Sequence, residues 1–70
     1  MASVPWSEVS KYFDDAFAFK GRIERRDVME LADADMASDD AVDAIDAVGS
    51  RVFPNPDAAK EFLEGQGYIG

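Results

Sequence analysis

The chain contains neither cysteine nor histidine. Without cysteine no disulfide can staple a small fold, and without either residue no thiolate or imidazole can hold zinc. The same two absences remove the usual nucleophile and base, and no serine stands in an arrangement that replaces them. No apolar run approaches the length of a bilayer span, and the opening MASVPWSEV has neither the basic nor the apolar stretch of a secretory leader. A soluble, cytoplasmic protein is expected. Bases are scarce too: seven Lys and Arg stand against 15 Asp and Glu, for a net charge of −8. That balance argues against direct nucleic-acid binding and against attraction to an anionic membrane.

What is present suffices for a fold. Seventy residues, 47% hydrophobic and 31% charged, describe one small globular domain over residues 1–70, able to bury about 60% of the surface of its unfolded chain. Trp6, five Phe and two Tyr must supply much of the packing in the absence of any covalent staple. Residues 25–48 organise the rest, because they read as two helices around a short polar turn. Val28, Leu31 and Ala32 recur at helical spacing before the turn, and Ala41, Val42, Ile45 and Val48 after it. Ser38, Asp39 and Asp40 offer side-chain oxygens to the free N–H groups that open the later helix. Gly49 supplies a stop signal. Met36, in the turn, is expected to plug the gap between the two helices.

Around this hairpin, Trp6, Val9, Phe13, Ala16 and Phe17 mark one face of a first helix over residues 5–16. Tyr12 sits beside that seam with its hydroxyl toward water. Residues 17–23 read as a connection that ends in a very short strand at Arg22-Ile23. Arg51-Val52-Phe53 is a second short strand, and Ile23 is expected beside Val52 or Phe53. Asn55-Pro56-Asp57 has an N-cap, a proline at the first helical position and an acid in the first turn. The last helix then presents Ala59, Phe62 and Leu63 to the core and is expected to stop at Gly65. Tyr68 and Ile69 fold back as a final apolar clasp. The expected fold is mainly α: a compact four-helix domain with a minimal two-stranded β ribbon.

Four stretches carry a resemblance. They are Ser7-Glu8-Val9-Ser10-Lys11-Tyr12-Phe13, Asp27-Val28-Met29-Glu30-Leu31-Ala32, Ala37-Ser38-Asp39-Asp40-Ala41-Val42-Asp43-Ala44-Ile45, and Arg51-Val52-Phe53-Pro54-Asn55-Pro56-Asp57. In this order they resemble the small bacterial domains of unknown function grouped as DUF2795. The chain departs from that pattern at Asp14-Asp15, where the family has a glycine, and at Arg22-Ile23, where it has an aromatic-proline pair. The resemblance implies a fold and no activity.

Charge is unevenly spread. Residues 20–26 hold four bases, Lys20, Arg22, Arg25 and Arg26, against Glu24, whereas residues 27–46 hold eight acids and no base. The basic edge Lys20, Arg22, Arg25 and Arg26 is a candidate contact surface for an acidic partner, since guanidinium forks suit carboxylate or phosphate. Its plain alternative is neutralisation of neighbouring acids in the same molecule. The acidic row Asp39, Asp40, Asp43 and Asp46 is the second candidate. Side chains three apart on a helix rise about 4.5 Å, near the ~3.4 Å phosphate spacing of one DNA strand. Such a row can imitate a nucleic-acid backbone, and its plain alternative is a solvated helix face.

An EF-hand counted from Asp33 puts Ser38 at the glycine position and Ala44 at the bidentate glutamate position, so it fails twice. No metal or cofactor is expected, and no catalysis, because paired carboxylates need a pKa-shifting cleft that so small a helical domain has little room for. The aromatics Trp6, Phe13, Phe17, Phe53 and Phe62 are expected in the core, which leaves Phe19 and Tyr68 as partner anchors. The functional expectation is a non-enzymatic protein–protein interaction module using the basic edge. The alternative is an acidic, phage-type decoy that fills a basic groove on its partner. A homodimer joining basic edge to acidic row is a third arrangement.

Overall fold

A computed structural model describes residues 3–70 of the chain. Four helices and two short strands follow in the order α1 (Trp6–Lys20), β1 (Ile23–Glu24), α2 (Arg25–Ala34), α3 (Asp39–Asp46), β2 (Val52–Phe53) and α4 (Pro56–Gln66). The strands form an antiparallel ribbon in which Ile23 faces Phe53 and Glu24 faces Val52. The fold is therefore mainly α with a minimal ribbon, and the expected partnership of Ile23 with Phe53 is the one observed.

The apolar spacing explains which helical faces turn inward. Val9, Phe13 and Ala16 of α1, Val28 and Ala32 of α2, Ala41, Ala44 and Ile45 of α3, and Ala59 and Leu63 of α4 are buried in one cluster with Ile23 and Val48. Phe13 and Leu63 are fully enclosed, and Trp6 packs on Phe13 with ring centroids 5.1 Å apart. Phe53 and Phe62, half-buried at the edge of the cluster, lie 5.5 Å apart. Burying one such large side chain is worth ~1.5–3 kcal/mol relative to leaving it in water.

Helix starts follow the capping chemistry. The N–H of Ala41 donates to Ser38 Oγ at 3.2 Å, and the N–H of Ala58 donates to Asn55 Oδ1 at 2.9 Å, with Pro56 at the first helical position of α4. Helix ends hold the surprises. α1 does not stop near Ala16 but runs to Lys20 and ends at Gly21, so Phe17 and Phe19 lie on a helix and not in a connection. Both stay exposed, and Phe17 is no core residue: it is 37% exposed and Phe19 82%. α4 likewise passes through Gly65 and ends at Gly67, whose φ of +82° lets the N–H of Tyr68 reach back to the Leu63 carbonyl.

Met36 differs most from expectation. It is 89% exposed and plugs nothing. Its φ of +56° is the left-handed conformation that ends α2, with Met36 N–H donating to Asp33 O and Ala37 N–H to Ala32 O. Glycine is the usual occupant of that place, and a side chain there costs ~1–2 kcal/mol. α3 ends at Asp46, and the turn that follows reaches its left-handed residue, Gly49, three positions later.

The clasp at the end of the chain forms. Val4 and Ile69, both buried, make an isolated parallel bridge in which Val4 N–H donates to Tyr68 O and Gly70 N–H to Val4 O. Among the described residues no helix is long and apolar enough to cross a membrane.

Candidate functional site

The ribbon decides where the charged residues meet. With Glu24 facing Val52, the next pair in register is Arg25 and Arg51, one at the first turn of α2 and the other just ahead of β2. Arg25, Arg26 and Arg51 consequently line one shallow cavity of ≈ 220 Å³ together with Glu24, Gly49, Ser50 and Val52. Arg51 packs on the core edge, its guanidinium carbon 4.7 Å from the Phe62 ring centroid, a distance at which cation and π face attract. Val52 is 56% exposed beside it. Three arginines and an exposed valine thus line one cavity, with the Arg25 guanidinium turned to Asp46 and that of Arg51 to the Phe62 ring.

Three of the four bases of the basic edge already hold carboxylates. Lys20 Nζ lies 3.5 Å from Asp27 Oδ1, Arg22 Nε donates to Glu24 Oε2 at 2.8 Å, and Arg25 Nη1 donates to Asp46 Oδ1 at 3.0 Å. Arg26 and Arg51 have no ion pair among the described residues. The Arg25–Asp46 pair is half exposed on both sides, so it contributes only roughly 0–1 kcal/mol and yields readily to a competing anion. The edge is therefore split. Lys20 belongs to the α1–α2 side, Arg22 is spent on its neighbour, and the pair Arg25 and Arg26 gains Arg51. Arg51 was missed as a site residue because it stands alone among uncharged neighbours in sequence. The signal that could have found it was the ribbon itself, since pairing Ile23 with Phe53 places Arg51 across from Arg25.

The acidic row occupies the outer side of α3. Asp39, Asp40, Asp43 and Asp46 are all exposed, and of these only Asp46 has a basic partner among the described residues. A second, wider groove of ≈ 440 Å³ is lined by Arg25, Arg26, Met29, Glu30 and Asp33 of α2 and by Asp46 of α3. Base and acid thus grade into each other across the α2–α3 surface.

One polar cluster escaped the sequence. Tyr12 donates its hydroxyl to Asp35 Oδ2 at 2.7 Å, and Lys11 Nζ lies 2.8 Å from the same oxygen. The hydrogen bond from Lys11, reinforced by that from Tyr12, holds the Asp35 carboxyl below the usual aspartate range. The hydrogen bond to Asp35, with burial second, pushes the Tyr12 phenol up, and the same carboxylate raises Lys11. Tyr12 and Asp35 also line a shallow cavity of ≈ 290 Å³ with Glu8, Met36 and Ser38. Among the described residues no three carboxylates come together as a metal-ligand set. No family model, no curated protein and no solved structure matches the chain.

Proposed function

We propose that the chain is a non-enzymatic, cytoplasmic protein–protein interaction module, and that it meets an acidic surface of its partner with Arg25, Arg26, Arg51 and Val52. The observation that carries this reading is the gathering of three arginines from two distant segments at one cavity. In a chain of net charge −8, exposed carboxylates are the background on every helix, whereas three arginines at one place run against it. Arginine with an exposed aliphatic neighbour is also the composition of an interface centre, where planar donors and apolar area work together.

A second reading keeps the acidic row as the contact. Asp39, Asp40 and Asp43 are exposed and have no ion pair among the described residues, so they are free to enter a basic groove as a phosphate backbone does.

Paired charge reversals separate the two. The tagged protein is used to capture partners from lysate, and the same captured species is followed across variants. Loss on Arg26→Glu with Arg51→Glu, and retention on Asp40→Lys with Asp43→Lys, supports the arginine site. The reverse pattern rejects it in favour of the acidic row. Rim charges act largely on association rate, so capture through the arginines should also weaken as salt rises.

A further inference from the structure

The last turn of α1 carries a surface that neither charged site uses. Phe19, 82% exposed, forms one wall of a groove of ≈ 280 Å³ between α1 and α2. Ala16 and Leu31 make its apolar floor, and the carboxylates of Asp15, Asp27 and Glu30 stand around it. A largely solvated phenyl ring is an unfavourable thing to keep on a helix, and an apolar slot beside it makes the place a contact surface in waiting. Asp27 already has Lys20 3.5 Å away. Asp15 and Glu30 have no base among the described residues, so the occupant that fits brings a large apolar side chain with a positive charge next to it.

The same helix end displays that combination. Phe19 is followed by Lys20, whose Nζ lies 5.9 Å from the Phe19 ring centroid. Groove and matching ligand are therefore carried side by side on one patch, which is the self-complementarity a two-fold interface requires. We propose that a second copy of this chain fills the groove. The two α1 ends meet around a two-fold axis, Phe19 of each copy covers Ala16 and Leu31 of the other, and Lys20 of each faces Glu30 and Asp15 of the other. A standard interface buries roughly 800 Å² per partner, more than one aromatic side chain and its groove supply. The association is accordingly weak and reversible. The net charge of −8 on each copy opposes it at long range, an opposition confined to ~8 Å at physiological salt.

Sedimentation of the full chain at ~0.15 M salt and at ~10 µM to ~1 mM protein is expected to show a concentration-dependent rise from monomer to dimer mass. Phe19→Asp, a change at an exposed position that leaves the core intact, should weaken dimerisation ~10-fold or more, the size of effect expected at an aromatic anchor. A charge swap tests the register. Lys20→Glu and Glu30→Lys each place like charges opposite one another in their own dimers and should each sediment as monomers. Their equimolar mixture restores one native and one inverted Lys–Glu pair and should regain the dimer. A wild-type chain that stays monomeric throughout the range assigns the groove to a different occupant and overturns the proposal. So does a Phe19→Asp chain that dimerises as the wild type does, or a mixture of the two charge variants no heavier than either alone.

Discussion

Tyr12 and Asp35 stand 23 positions apart in the chain, and the 2.7 Å hydrogen bond between them fastens the middle of α1 to the turn that follows α2. Lys11 shares the same carboxylate oxygen at 2.8 Å. Each of the three groups titrates with a sign fixed by that contact. Asp35 is depressed, so its contribution to stability is present above the ordinary value of 3.8 and is lost as the pH falls through its lower folded value. Tyr12 and Lys11 are raised, so theirs is present below 10.0 and 10.5 respectively and is lost as the pH climbs through the raised values. Wild type should be more stable than Asp35→Asn at neutral pH, with the difference vanishing in strong acid. Thermal melts of both proteins across pH check the acid limb. NMR titration of the Tyr12 ring checks the alkaline one, and ionisation at or below 10.0 contradicts the geometry.

Met36 holds a left-handed backbone with φ +56° and a side chain that touches little, being 89% exposed. Met36→Gly removes a steric cost of ~1–2 kcal/mol and adds unfolded-chain entropy worth ~0.4–1 kcal/mol. The variant should gain ~0.5–1 kcal/mol of net stability. Urea unfolding reads this directly, and a loss of stability would mean that the methionine side chain does packing work the structure does not show.

The two glycines near the end of α4 should respond with opposite signs to the same substitution. Gly65 is inside the helix with open space where a Cβ would stand, so Gly65→Ala should stabilise by ~0.5–1 kcal/mol. Gly67 also has open space, but its φ is +82°. Gly67→Ala should therefore destabilise by ~1–2 kcal/mol. Denaturation midpoints of the pair, compared with wild type, test the assignment of the helix end to Gly67.

Phe13 is fully enclosed, and Trp6 packs against it. Phe13→Ala leaves a cavity costing ~3–5 kcal/mol, against a total stability of ~3–10 kcal/mol for a domain of this length. The variant should lose a large share of that stability, visible as a lowered thermal midpoint followed by near-ultraviolet dichroism. Phe19→Ala, at an exposed position, should stay within about 0.5 kcal/mol of wild type.

Where the sequence was legible, the reason was local. Ser38 and Asn55 announce helix starts because their caps reach only three residues ahead, to the N–H groups of Ala41 and Ala58. Ile23 and Phe53 announce strands because apolar residues are bounded there by glycine or proline. Where it was not, packing had to be known first. The buried stripe of α1 ends at Ala16 while the helix continues another turn, where Phe17 and Phe19, about 200° apart around the helix, flank the stripe and stay exposed. Hydrophobic spacing shows which face is buried, and it falls silent once a helix passes beyond the core. Met36 could not be placed because the closure of α2 depends on carbonyls of Ala32 and Asp33 being presented by a finished helix. The arginine site lay between these cases, since its two halves were visible and only the ribbon register joined them.

The bridge between Val4 and Ile69 brings the opening and closing segments of the polypeptide into direct contact. Topologically the molecule is a ring short of one link. A few flexible residues joining these segments could close that ring, and a new break at the exposed Pro54-Asn55 bend would then give a permuted chain with every helix whole. Because the bridge is parallel, the chain leading into Val4 and the chain leading out of Ile69 leave it in opposite directions.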